Sequence, residues 1–450
     1  MSNTHPEANP AATLAAHVDH LRTTWDAALE HSDYDGVVLA AGQAELFFQD
    51  DHGPVFKPNP YFTQWVAPEF AQPDALIMLR QGRTPVLLTP DPEDYWHASP
   101  PLPEHLQEHL DVRTFADSQG LLNAAMQELD EPSKQRMAFI GRSQGNEQFG
   151  PANPANLVNF MDFQRAVKTP FELELMRRAS DIGVRGHIAA AAAFASGGSE
   201  FEIHLAYLAA SAQNEHQLPY GNIVACNENA ATLHYQFQQR ERLATPRSLL
   251  IDAGGSYQGY ASDITRTYAA EGSEHEEFSS LLSAMQAHQD AILDRVGPDM
   301  TFAELHAFMH ENLAHVAVAE GLVECSAEAA LEHGVTRALC PHGLGHLLGI
   351  QVHDVGGHMA DADGTPAPPP PEYPALRFTR TIAANQVFTI EPGLYFIDSL
   401  LHNLREADAP MNWAKLERLQ PYGGIRIEDN VRVLPSGCEN LTRDAWVRCA

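Results

Sequence analysis

The segment Lys168-Thr169-Pro170-Phe171-Glu172 constrains this chain most, because it spells out a helix start and the pattern changes across it. Thr169 stands as N-cap, Pro170 at the first helical position and Glu172 at the third, the arrangement of a capping box. Before it, Gly36-Val37-Val38-Leu39, Ala75-Leu76-Ile77-Met78-Leu79, Pro85-Val86-Leu87-Leu88 and Met137-Ala138-Phe139-Ile140 are short apolar runs bounded by turn residues, with helix-like stretches between them. An α/β domain over residues 1–168 is expected. Beyond it come long amphipathic helices, one ending near Gly197-Gly198, others opening at Ser199-Glu200-Phe201-Glu202 and Thr301-Phe302-Ala303-Glu304. Leu249-Leu250-Ile251-Asp252 is expected to pair with Tyr257-Gln258-Gly259-Tyr260 as a hairpin through Gly254-Gly255-Ser256. Gln386–Ile390 and Gly424–Ile427 read as further strands, so residues 169–450 should form an α+β domain with helices over a mostly antiparallel sheet.

With 450 residues, two domains are expected on length alone. Lys and Arg number 28 against 59 Asp and Glu, and the net charge of −31 opposes binding to phosphate backbones or anionic membranes. No nucleic-acid partner is expected. Met1-Ser2-Asn3-Thr4-His5-Pro6-Glu7 lacks the basic and apolar regions of a leader, and no stretch approaches the ~20 apolar residues of a membrane span, so a cytoplasmic protein is expected. The five cysteines are scattered and never spaced CxxC, which suits free thiols. The proline-rich stretch 365–374 reads as a surface loop.

Chemistry concentrates in the second half. Asp252 and Asp263 flank the expected hairpin, and folding its strands together would bring the two carboxylates to one point; alone, such aspartates are usually turn formers or solvated groups. Pro341-His342-Gly343-Leu344-Gly345-His346, followed by Val352-His353-Asp354, sets three histidines among glycines that permit close backbone approach. His342 and His346 have the i, i+4 spacing of a zincin helix, but Gly343 stands where that motif needs glutamate and two glycines oppose a regular helix. Three unrelated histidines remain an alternative on this segment alone. Glu391 and Glu428 each end an apolar strand, where a buried carboxylate needs an ion or a partner. Four carboxylates and one imidazole make an oxygen-rich set suited to two divalent ions, and their charge balances.

Together, Asp252 and Asp263, His342-Gly-Leu-Gly-His346, Val352-His353-Asp354, Ile390-Glu391-Pro392-Gly393 and Gly424-Ile-Arg-Ile-Glu428-Asp429 resemble the pita-bread metallopeptidases. Leu218-Pro219-Tyr220-Gly221-Asn222, Leu233-His234-Tyr235 and Gly423–Asn430 look most like the bacterial Xaa-Pro dipeptidases, or prolidases, within that family. The resemblance reaches the first domain at Asp50-Asp51-His52, Phe56–Pro60 and Asp94-Tyr95-Trp96-His97.

Carried onto this sequence, the resemblance implies that Asp252 binds one metal, that Asp263 and Glu428 bridge the pair, and that His346 and Glu391 bind the other. It implies Mn2+ as the ion, with Co2+, Zn2+ or Mg2+ as substitutes, and a homodimer. The implied reaction is hydrolysis of Xaa-Pro dipeptides, with Glu391 moving the proton and His234, His342, His353 and Arg426 around the reacting centre. Arg377 would grip the substrate carboxylate, with Arg380 next in line, while Tyr220, His234 and His353 line the substrate. Organophosphorus triesters are an implied side substrate, with Leu233 and Val352 also lining that pocket. An aminopeptidase P acting on longer peptides and a non-catalytic binding module on the same fold are the competing readings.

Overall fold

The computed structural model describes residues 10–93, 95–96, 100–129, 136–142 and 147–449. The leader reading at Met1–Glu7, and Asp94 and His97 of the resemblance, lie outside these residues. The chain forms two compact units, one of residues 1–165 with 169–173 and 361–365, the other of 166–168, 174–360 and 366–450.

The first unit is built on a five-stranded sheet in the order β4 (Asp111–Phe115), β3 (Val86–Pro90), β2 (Leu76–Arg80), β1 (Gly36–Ala40), β5 (Met137–Ile140). β1 pairs antiparallel with β2 and parallel with β5. All five β1 residues are buried, because both faces of the sheet are covered. Val37 and Leu39 point into a core with Leu21 and Trp25 of the helix Pro10–Ser32, whereas Val38 and Ala40 point into another with Leu121 and Ala125 of the helix Ser118–Glu128.

The helix Pro170–Ala195 opens as its sequence requires: the Thr169 amide donates to Glu172 at 2.7 Å and the Glu172 amide to the Thr169 hydroxyl at 3.3 Å. Ser199 and Thr301 cap the helices Glu200–Ser211 and Phe302–Ala319 with the same reciprocal bonds. In the second unit every strand pair among the described residues is antiparallel. β7 (Ser248–Asp252) lies between β6 (Ile223–Cys226) and β10 (Thr265–Ala269).

This pairing corrects the expected hairpin. Asp252 faces Thr265 across the β7/β10 ladder, and Tyr257 does not pair with β7. Ser256–Tyr257 (β8) and Tyr260–Ala261 (β9) instead make their own small hairpin, turning at Gln258 and Gly259, both of positive φ (50° and 86°), as two-residue hairpins favour. Asp263 still returns beside Asp252, because the chain between β7 and β10 makes this complete excursion.

β11 (Val387–Ile390) pairs with β14 (Asp429–Val433), which also takes β15 (Cys438–Asn440), and β12 (Gly393–Tyr395) pairs with β13 (Gly424–Arg426). Ile390 faces Asp429 and Gly393 faces Arg426 in one continuing register, so Glu391 falls opposite Glu428 and Pro392 opposite Ile427 where the ladder is interrupted. The core behind this gap includes Phe302, Phe378 and Phe388, whose rings meet at 4.5–5.4 Å.

Candidate metal centre

Strand ends and one irregular loop bring the acidic residues together in the second unit. Asp252 closes β7, Asp263 precedes β10, and Glu391 and Glu428 occupy the gap between the paired strands. His346 comes from the non-helical run 341–349, folded against β11 by the Leu347–Phe388 bridge. There Gly345 is needed for packing: a Cβ on it would lie 2.0 Å from the Thr389 carbonyl oxygen. Asp263, His346 and Glu428 are buried and hold their ligand atoms within 4.8 Å of one another.

The imidazole of His346 is aimed as a ligand. Its Nδ1 lies 3.0 Å from the Leu347 carbonyl, which can only accept, so Nδ1 carries a proton. Nε2 is thereby turned to Asp263 Oδ2 at 3.4 Å and Glu391 Oε1 at 3.8 Å. A neutral ring would point a lone pair at two acceptors, an arrangement a cation resolves. Burial lowers the His346 pKa, but the hydrogen bond that the ring donates to Asp263 and the charges of Glu391 and Asp263 outweigh it and raise it. Burial pushes Glu391 up to about 7 and Asp252 up to about 6, and carries Glu428 well above the carboxylate range. Asp263 stays low despite burial because His346 and Tyr220 bond to its charged form. Four carboxylates lining one cavity fit divalent cations, whose positive charge would add to that of Arg426 and His346 beside them.

The five acidic and imidazole groups share one cavity of about 180 Å³ with Leu233, His234, His342, His353, Arg377 and Arg426. Every residue expected around the metal or substrate borders it except Tyr220, Val352 and the alternative Arg380. Tyr220 lies behind the wall, its hydroxyl 2.8 Å from Asp252 Oδ1 and 2.5 Å from Asp263 Oδ1. His353 stacks edge-on against His346, with centroids 4.4 Å apart, and its loop is tied down by a buried 2.9 Å ion pair between Lys168 and Asp354. Arg377 is exposed at the rim, whereas Arg380 is buried and donates to the Gly356 carbonyl.

His342 is more committed than the sequence suggested. Nδ1 meets the Gly343 carbonyl at 2.8 Å and Nε2 meets the Tyr395 hydroxyl at 2.8 Å, while Arg426 Nη1 donates to that hydroxyl at 2.9 Å. With burial and Arg426 driving its pKa down to about 3, the ring is neutral and both nitrogens are engaged.

Two residues missed in the sequence build the walls. Glu200 is buried at the head of its helix and accepts from the Cys226 and Gln239 amides, the Asn229 side chain and the Tyr235 hydroxyl, all at 2.8–2.9 Å. These bonds clamp both ends of the strap that carries Leu233 and His234. Opposite, Tyr373 stacks on His310 at 4.7 Å and meets His306 edge-on at 4.5 Å, pinning the chain that carries Ala375 and Arg377. Ser199-Glu200 signalled only a helix start, and nothing in the proline-rich stretch marked Tyr373 as an anchor.

Comparison with known proteins defines the class. Residues 174–435 match metallopeptidase family M24, and residues 12–163 match the Xaa-Pro dipeptidase N-terminal domain. The chain belongs to metallopeptidase family M24. It is 44% identical over 440 residues to a protein of Aeromonas hydrophila named Xaa-Pro dipeptidase, covering 96% of this chain and 98% of that one. A Shewanella loihica protein of the same name is 43% identical over 445 residues, covering 97% and 98%. Among solved structures, Escherichia coli aminopeptidase P in its low-pH form is similar with a TM-score of 0.74 at 20% identity, covering 98% of this chain and 96% of that one. Pseudomonas aeruginosa aminopeptidase PepP gives 0.72 at 22% identity, with 95% of each chain covered. These likenesses show the pita-bread fold. Family and buried Asp263, His346 and Glu428 cluster together indicate divalent-metal binding.

Proposed function

We propose that this chain is a dinuclear-metal dipeptidase hydrolysing Xaa-Pro dipeptides. The observation that carries the reading is the convergence of Asp252, Asp263, His346, Glu391 and Glu428 on one cavity with Arg377 at its rim, in a chain 44% identical to a protein named Xaa-Pro dipeptidase. At about 180 Å³, the cavity is smaller than the ~300–1,000 Å³ sites that take drug-sized ligands, which favours a short substrate.

Asp252, Asp263, His346, Glu391 and Glu428 would hold two ions; the resemblance points to Mn2+, which an oxygen-rich set with one imidazole suits. Bound ions supply Lewis acidity toward the scissile carbonyl and an activated water. Glu391 accepts a proton at Oε2 and passes it to the proline nitrogen. His234 and His353 remain to donate to the developing oxyanion or the substrate carboxylate. His342, held between Gly343 and Tyr395, shapes the wall instead. Arg377 binds the C-terminal carboxylate, so a chain continuing past proline finds its partner missing. The same centre extends to organophosphorus triesters small enough for the cavity. A homodimer in the cytoplasm completes the reading, supported by resemblance and by the lack of any described helix long and apolar enough to cross a membrane.

Comparing Ala-Pro, Ala-Pro-Gly and Ala-Ala on Mn2+-loaded protein tests the proposal. Ala-Pro should be cleaved and the other two spared. Faster turnover of Ala-Pro-Gly would make it an aminopeptidase P, and full metal loading with no hydrolysis at all would make it a binding module.

A further inference from the structure

The gap in the ladder at Glu391 and Glu428 has a cause and a remedy. Pro392 faces Ile427 and has no N–H, so the Ile427 carbonyl loses the donor that the register would give it, although Ile427 still donates to Pro392 at 3.4 Å. Gln289, on the helix Glu276–Leu293 and 0% exposed, fills the place. Its Nε2 donates to the Ile427 carbonyl at 3.0 Å and to the Ile390 carbonyl at 3.1 Å. These are the residues immediately before Glu428 and Glu391. Its Oε1 accepts from Arg443 at 2.8 Å and Gln286 at 3.2 Å, so the amide is fully used and only one of its two flipped orientations satisfies all four partners.

We infer that Gln289 is a positioning residue for the metal centre: by tying the Ile390 and Ile427 carbonyls together across the Pro392 gap, it fixes the separation of Glu391 and Glu428. The inference rests on the proposed dinuclear centre and deepens it. Across the gap the ladder itself keeps one long bond, from the Ile427 amide to the Pro392 carbonyl at 3.4 Å, so Gln289 supplies the shorter ties that hold the two carboxyl groups at their separation. Gln289 touches neither carboxylate, so its effect passes through the backbone.

The test is Mn2+ titration calorimetry on metal-stripped full-length protein, with low-temperature EPR of the loaded sample to read the coupling between the ions. Gln289→Glu keeps the size and the Arg443 bond but removes both amide donors; Gln289→Met removes the same donors at similar size without adding an acid. Both should weaken Mn2+ binding tenfold or more and alter the EPR spectrum while circular dichroism stays native. A wild-type isotherm and spectrum from either folded variant overturns the inference, as does a binding loss that merely tracks the unfolded fraction. Should Gln289→Glu fail to fold, Gln289→Met decides by the same two readings. If wild-type protein binds one ion, the dinuclear reading fails alone, and the variants' shift in that single step still decides for or against Gln289.

Discussion

Arg426 Nη2 stands 2.6 Å from Asp252 Oδ2, an ion pair whose side chains are only 5% and 14% exposed. Arg426 also donates to Thr265 and Tyr395, so it joins a cavity-lining carboxylate to the wall that holds His342. Removing one partner of such a pair leaves the other charge buried, at a cost of roughly 3–5 kcal/mol. Arg426→Met should therefore destabilise metal-free protein by about that amount, and Mn2+-loaded protein by clearly less, because bound ions compensate Asp252. Denaturant titrations with and without chelator check this; equal losses would detach Asp252 from the metal.

Chelation should abolish peptidase activity and added Mn2+ restore it, since the site has no thiolate to retain an ion. Asp263→Asn and Glu428→Gln should each lower metal content and turnover together, read by elemental analysis beside Ala-Pro hydrolysis. Triester hydrolysis surviving in Asp263→Asn after dipeptidase activity is gone would place that chemistry elsewhere.

Arg377→Ala should raise KM for Xaa-Pro by roughly ten- to a hundredfold, the loss of about 1.5–3 kcal/mol of charged hydrogen bonding. Turnover at saturation should change little. Steady-state kinetics decide. The buried Arg380, with its guanidinium donating to Gly356, is the poorer candidate, and an unchanged KM in Arg377→Ala would bring it back.

His288 is buried with Nδ1 2.9 Å from the Asn312 amide, and burial holds its pKa down at about 4. In the unfolded chain it titrates near 6.5, so between those values the unfolded state binds more protons and stability rises with pH. Stability should fall on acidification from pH 7, with His288 contributing on the order of 2 kcal/mol of the loss by pH 5. His288→Gln should flatten the curve of unfolding free energy against pH in that window; a slope identical to wild type would exclude His288.

Much of this architecture is written in local chemistry. Thr169, Ser199 and Thr301 carry their helix starts in side chains that bond within three residues, so the sequence alone places them. The acidic residues of the cavity are conspicuous in the sequence but individually ambiguous, since each alone reads as a turn former or an ion-paired carboxylate; only their combination with His346 in motifs that resemble the pita-bread metallopeptidases singles them out. The β7 pairing is hidden because Gly254-Gly255 has the composition of a turn, whereas Gly254 answers a close approach: its Cβ would lie 2.0 Å from the Ser262 carbonyl oxygen. β4 carries no apolar signature because Asp111-Val112-Arg113-Thr114-Phe115 lies at the sheet edge and has no wholly buried residue. Gln289 left no trace at all, since a glutamine inside an amphipathic helix reads as ordinary until the gap at Pro392 is seen beside it.

The clamp at Glu200 and the stack at Tyr373 have a joint consequence for how a substrate is admitted. Each fastens one wall of the cavity to the interior of the same unit, the first through four hydrogen bonds to a single carboxylate, the second through aromatic contact. His234 and Arg377 are thus carried on chain held at its base, so a molecule entering between these walls meets segments already ordered and loses less entropy than one that must order free loops.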